Sequence, residues 1–113
     1  MNKVKFERLL GMARKAGRLV MGTDIVMKAM AHKNPPVFLV LASEGASENT
    51  KKRISDRCSY YNVVRYTIPQ TPDELSHLLG KVGSICCIGV TDEAFAKGLT
   101  RYLTNDDLEE GNE

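Results

Sequence analysis

Residues 13–28 read Ala13-Arg14-Lys15-Ala16-Gly17-Arg18-Leu19-Val20-Met21-Gly22-Thr23-Asp24-Ile25-Val26-Met27-Lys28. A helix end, a short apolar strand and the start of a second helix follow one another here, with a glycine at each junction. Gly22 can adopt positive φ and, lacking a side chain, lets another backbone come close. Thr23 is the expected N-cap, and Asp24 then occupies the first helical position, where the partial positive charge of the helix start favours a carboxylate. Lys28 follows one turn later on the same face. Free backbone N–H groups, a carboxylate and a lysine thus surround one small concavity. Helix starts of this kind suit phosphates and polar base edges, although from spacing alone the segment also reads as an ordinary capped junction.

Working outward, Phe6, Leu9, Leu10 and Ala13 recur at helical spacing and predict a first helix over residues 3–16, stopped by Gly17. The second helix is expected over residues 24–32, burying Val26, Ala29 and Met30, and ends before Asn34-Pro35-Pro36. Residues 37–42 form an unbroken apolar run of strand length, the pattern of a strand covered on both faces. After a loop at residues 43–46, Ser47 caps a third helix in which Ile54, Cys58 and Tyr61 share a face, while Lys51, Lys52, Arg53 and Arg57 face solvent or a partner. Residues 63–68 read as a strand. Thr71-Pro72-Asp73-Glu74 supplies an N-cap, a proline at the first helical position and a glutamate three residues on, which is a capping box. Leu75, Leu78 and Leu79 bury this fourth helix and Gly80 ends it. Residues 84–90 form a second apolar strand, and Asp92 begins the last helix, with Phe95, Leu99 and Tyr102 inward and Gly98 weakening it by roughly 1 kcal/mol. Strict alternation of helix and strand implies an α/β sandwich with helices on both faces of a central sheet.

The chain has 113 residues, within the size of one domain of roughly 100–150 residues. No apolar run approaches the roughly 20 residues of a membrane span, and the amino-terminal stretch has no signal-peptide character, so a cytoplasmic protein without a membrane partner is expected. The net charge of +2 conceals an asymmetry. Five of the fourteen acidic residues and none of the sixteen basic ones lie beyond Thr104, leaving sixteen positive against nine negative charges, a net +7, on residues 1–103. Residues 1–103 therefore read as one basic domain and residues 104–113 as an acidic, disordered tail. The excess suits a nucleic-acid binder and equally serves solubility. Cys58, Cys86 and Cys87 give neither a disulfide framework nor metal-ligand spacing, since adjacent Cys86 and Cys87 point to opposite faces of a strand. They read as small apolar residues in a reducing compartment, and no metal or cofactor is expected.

Residues 17–29, the run Val37-Phe38-Leu39-Val40-Leu41-Ala42, residues 46–54, Tyr60-Tyr61-Asn62-Val63 and residues 91–97 together resemble the ribosomal protein family that includes L-seven-Ae and L-thirty-e, and within it the small bacterial YlxQ-like members. The resemblance covers residues 6–103, and it implies a three-layer α/β/α sandwich with a central mixed sheet of about four strands and a partner that is kink-turn RNA. In the family's RNA binders, a Gly-Thr-Asn-Glu turn and a lysine one turn later enter the widened major groove beside sheared G·A pairs. By resemblance Gly22, Thr23 and Lys28 match, and the lysine would donate to guanine O6 and N7. Asp24 stands where the family has asparagine and Ile25 where many members have glutamate. An ionised Asp24 can only accept, and Ile25 has no hydrogen-bonding side chain. The family's second contact, a loop packing on a flipped-out base, falls on Gly80-Lys81-Val82-Gly83-Ser84. There Val82 would be the apolar platform, Gly83 would allow close approach and Lys81 would reach a phosphate. Without the resemblance, these residues read as a helix C-cap and a turn. Arg14, Lys15 and Arg18 flank the first turn and would hold phosphates without reading sequence.

The function implied is that of a non-catalytic RNA-binding protein associated with the ribosome, with ribosomal proteins as further partners. A protein-interaction module on the same fold is the alternative, because the Asp24-Ile25 departures would suit lost RNA specificity. Catalysis finds no support in the pattern: His32 and His77 have no nucleophile or metal-ligand spacing around them, and Gly22-Thr23-Asp24 lacks the lysine and serine of a P-loop.

Overall fold

Two apolar runs without polar alternation, around Val40 and Ile88, become the two central strands of a four-stranded sheet. The computed structural model describes residues 1–104. Its strands are β1 (Leu19–Met21), β2 (Leu39–Ser43), β3 (Arg65–Ile68) and β4 (Cys87–Val90), in the order β1-β4-β2-β3. The helices are α1 (Lys3–Lys15), α2 (Thr23–His32), α3 (Glu48–Tyr61), α4 (Pro72–Leu78) and α5 (Glu93–Thr104). Strand β4 pairs antiparallel with both neighbours, and β2 pairs parallel with β3 across the α3 crossover. The sheet is therefore mixed, and every residue of β2 and β4 is buried.

Alternation along β2 divides the core in two, because successive strand side chains point to opposite faces. Leu39 and Leu41 join Phe6, Leu10, Leu75 and Leu99 beneath α1, α4 and α5. Val40 and Ala42 join Val26, Met30, Ile54 and Cys58 beneath α2 and α3. Each fully buried Leu, Ile, Val or Phe contributes about 1.5–3 kcal/mol from apolar burial. The three-layer sandwich follows from this division: one sheet, with helical layers on both sides.

Two glycines let helices approach the sheet and each other. A Cβ on Gly89 would lie 2.9 Å from Val20 Cγ2 of β1 and 3.4 Å from Val26 Cγ1 of α2, so the bare position leaves room for the side chains that pack over β4 from both elements. Gly98, expected to weaken α5, sits where a Cβ would come 2.8 Å from Leu9 Cδ2 of α1. Its missing side chain is a packing feature of the α1–α5 contact.

Capping largely follows the sequence pattern. Ser47 Oγ accepts from the Thr50 N–H, and the Thr71 and Glu74 side chains complete a reciprocal box, with Thr71 N–H donating to Glu74 Oε1 at 2.8 Å. Asp92 caps α5 through its carboxylate, which accepts from the Phe95 N–H at 2.9 Å. The strands are shorter at their amino-terminal ends than the apolar runs suggest. Ile85, for example, donates its N–H to Pro72 O in a loop before β4 begins. Tyr61, Leu78, Phe95 and Tyr102 are half-buried rather than buried. Helix α5 runs through Thr104, and the acidic tail expected beyond it lies, from residue 105 onward, outside the described residues.

Candidate nucleic-acid interface

Strand β1 runs straight into α2 through Gly22. Gly22 N–H donates to Cys87 O at 2.9 Å, the last bond of the sheet, and Gly22 O accepts from the Val26 N–H at 2.9 Å, the first bond of the helix. One residue thus closes the sheet and opens the helix, with φ 106° and ψ 140°. That conformation is open only to glycine, so the cap position is Gly22 and not Thr23 as expected. Thr23 becomes the first helical residue, no side chain caps the helix, and Asp24 moves to the second position. The remaining N–H groups of the first turn have no intrahelical acceptor, and no side chain caps them.

The same register brings the second loop to this end of the sheet. Met21 is opposite Ile88, so the end of β1 and the start of β4 are neighbours, and residues 80–84 lie just before β4. Gly80 at φ 68° and Gly83 at φ 94° bend that loop, and between them Lys81 and Val82 are exposed, Val82 completely. A fully exposed valine between two left-handed glycines is an apolar surface with no cover of its own. Arg14 ties α1 to this corner by donating from Nε to Leu79 O at 3.2 Å.

Arg18 lies apart from the turn. It precedes β1, its O accepts from the Thr91 N–H beyond the far end of β4, and it is separated from Gly22 by the length of the strand, about 13 Å at the usual rise. Ile25 is 55% exposed, an apolar side chain presented to solvent beside Gly22. Lys28 is exposed and has no ion-pair or hydrogen-bonding partner among the described residues.

Asp24 does not project alone. Arg53 Nη2 of α3 donates to its Oδ1 at 2.8 Å, joining the two helices across their seam. The basic cluster on α3 therefore divides. Lys51 is paired with Glu44 and Glu48, and Lys52 with Asp56, whereas Arg53 and Arg57 line a groove with Asp24, Lys28 and His32.

Beneath this region the thiols are quiet. Burial pushes Cys58 from 9.0 up to about 11, against the opposing pull of Arg65. Burial, reinforced by neighbouring Cys58 and Cys86, pushes Cys87 up to about 12. Both are protonated at neutral pH and offer no nucleophile.

The model of the Ribosomal protein L7Ae/L30e/S12e/Gadd45 family matches residues 4–100. The chain belongs to that family. Among the family's curated members, RNA-binding protein YlxQ of Bacillus subtilis (strain 168) is 36% identical over 103 residues, spanning 91% of this chain and 99% of the relative. RNA-binding protein YlxQ of Enterococcus faecium is 32% identical over 85% of this chain and 88% of its own length. A solved structure of a protein of unknown function from Bacillus halodurans superposes with a TM-score of 0.75 at 33% identity, covering 85% of this chain and 93% of that one. The α/β architecture read from the alternating elements is thus that of the L7Ae family. Arg53 is legible in the sequence as part of the basic group of α3, but its pairing with Asp24 is not: the two lie 29 positions apart, and only the packing of α2 on α3 brings them together.

Proposed function

We propose that this protein binds structured RNA of the kink-turn kind, without catalysing a reaction on it, and does so in association with ribosomal or other ribonucleoprotein particles. The observation that supports this reading most is the shared sheet end, where the Gly22 turn and the residue 80–84 loop converge through the Met21–Ile88 pairing. Gly22 and Gly83 give close backbone approach, Thr23 adds a hydroxyl, and Lys28 supplies a free donor for guanine O6 and N7. Ile25 and Val82 provide apolar surface for an unstacked base, while Lys81 and Arg18 neutralise phosphates. The RNA-binding relatives in the same family point the same way.

Direct titration with a folded kink-turn RNA and with a control lacking the G·A pairs tests the reading. Preference for the kink-turn is expected, and Lys28→Ala should weaken it by about 1–3 kcal/mol, the worth of a good base contact, with no change in folding. Equal affinity of Lys28→Ala and the parent at matched salt refutes the assignment of residues 22–28.

A protein-interaction role is the second reading, and one observation favours it. A groove of about 540 Å³ beside α5 is lined by Phe38, Val64 and Tyr66 with Lys97 and Arg101, and Phe38 and Val64 are exposed. Failure to bind either RNA would move the function to that groove.

A further inference from the structure

The basic residues of α2 and α3 that are not paired within α3 or with the loop before it lie together along the seam where the two helices meet. From α2, Asp24, Lys28 and His32 succeed one another at four-residue intervals, and from α3, Arg53 and Arg57 do the same. Residues four apart on a helix share a face, so two matched stripes border one groove of about 290 Å³. Met27 and Ala31 complete its α2 wall. Lys28, Arg53 and Arg57 outnumber the single carboxylate, which is spent on orienting Arg53 at 2.8 Å. Arg57 is exposed and without an ion-pair partner among the described residues. The other two bases of α3 are paired with carboxylates of α3 itself or of the loop preceding it.

We infer that the α2–α3 seam is a second RNA-contact surface, continuous with the Gly22 turn, which takes the phosphate backbone of the RNA beyond the base-reading contacts. The inference rests on the reading of residues 22–28 as an RNA site and extends its footprint onto α3. Its occupant is a run of phosphates: the groove is narrow and cationic, and it starts at the residue, Asp24, that opens onto the turn. Asp24 holds the Arg53 guanidinium over the seam and Arg57 carries it one helical turn further, so consecutive phosphates along a strand meet Lys28, Arg53 and Arg57. Phosphate contacts of this kind position a nucleic acid without reading its sequence.

The test is the salt dependence of kink-turn RNA binding by the full chain. Each phosphate contact contributes about 0.7–0.9 to the slope of log K against log salt. Arg57→Gln should lower the slope by about that amount and weaken binding about five- to eightfold at 0.1 M salt. The loss should be the same for the kink-turn and for the RNA lacking G·A pairs. Arg57→Lys, which keeps the charge, should retain the wild-type slope, and Lys52→Gln, already paired with Asp56, should leave binding within about twofold of wild type. A wild-type slope for Arg57→Gln, with Lys28→Ala still impaired, overturns the seam and leaves the turn standing. Absence of RNA binding by the wild-type protein overturns both.

Discussion

Replacing Asp24 by asparagine should make the protein less stable and its RNA complex tighter, and the opposition of the two signs makes the substitution informative. In the structure the Asp24 carboxylate does two things. It accepts a charge-assisted hydrogen bond from Arg53 Nη2 at 2.8 Å, and it places a negative charge in the first turn of α2. The side chains of Arg53 and Asp24 are 47% and 79% exposed, so the pair is screened by solvent and worth about 0.2–1 kcal/mol. The favourable interaction with the helix start adds about 0.3–1 kcal/mol at low salt. Together these predict a loss of about 1 kcal/mol, or a fall of about 4–8 °C in melting temperature for a domain of this size.

Binding should move the other way. A carboxylate about 6 Å from a phosphate in water costs about 0.7 kcal/mol, so its removal tightens binding about threefold. Arg53, its charge no longer offset by the Asp24 carboxylate, also attracts the phosphate it meets at the seam more strongly at low salt. Binding tightened by about three- to tenfold at 0.1 M salt, with the gain shrinking as salt is raised, is the expected result of titration with kink-turn RNA. Thermal unfolding of the same preparation supplies the stability change. Weaker binding by Asp24→Asn would refute the argument, since it would mean that the carboxylate itself accepts from a base amine. An unchanged affinity would remove Asp24 from the interface altogether.

Gly22→Ala should destabilise the protein by about 1–3 kcal/mol, because φ 106° is closed to a Cβ even though the nearest atom, Ile25 Cδ1, would be 3.9 Å away. Chemical denaturation measures the cost, which reflects backbone strain and not crowding. Gly89→Ala should cost about 1–3 kcal/mol for the opposite reason, the 2.9 Å approach to Val20 Cγ2, and Val20→Ala in the same background should recover part of it. At pH 8 a thiol reagent should modify half-buried Cys86 in the native protein and reach Cys58 and Cys87 only on unfolding. The native thiols of Cys58 and Cys87 ionise near 11 and 12, against 9.0 for an ordinary thiol. Their contribution to stability is therefore complete below pH 9 and lost as pH rises through 11 to 12. Denaturant midpoints at pH 8 and 10.5 check the direction.

The sheet was legible because its central strands are apolar on both faces. Leu39–Ser43 and Cys87–Val90 are buried throughout, and a chain alternating such strands with amphipathic helices must cover both faces. The ends of elements were less legible. Pro72 O takes the Ile85 N–H, a bond made across 13 positions that no local pattern announces, so β4 starts later than its hydrophobicity suggests. Gly98 carries a packing role that, for a similar reason, no local pattern announces. Propensity scores it as a weak helix residue, whereas its place against Leu9 is a property of two helices packed together.

At the candidate site, the turn was legible and its electrostatics were not. Gly22 announces itself by position, between an apolar strand and an amphipathic helix, yet its role as cap depends on a φ/ψ pair that excludes Thr23 from that duty. Asp24, judged against the family's asparagine, looks like a substitution that removes a donor and adds repulsion. Its partner changes that account. An unpaired carboxylate would oppose phosphates at the turn without return, but one bound to Arg53 is offset in part and fixes a guanidinium over the seam. The departure from the family pattern and the charge on α3 are therefore best treated as one arrangement. The Asp24 carboxylate is engaged by Arg53, and Arg53 gains a defined position on the neighbouring helix. Sequence spacing cannot express that exchange, because it is set by how α2 and α3 lie together on the sheet.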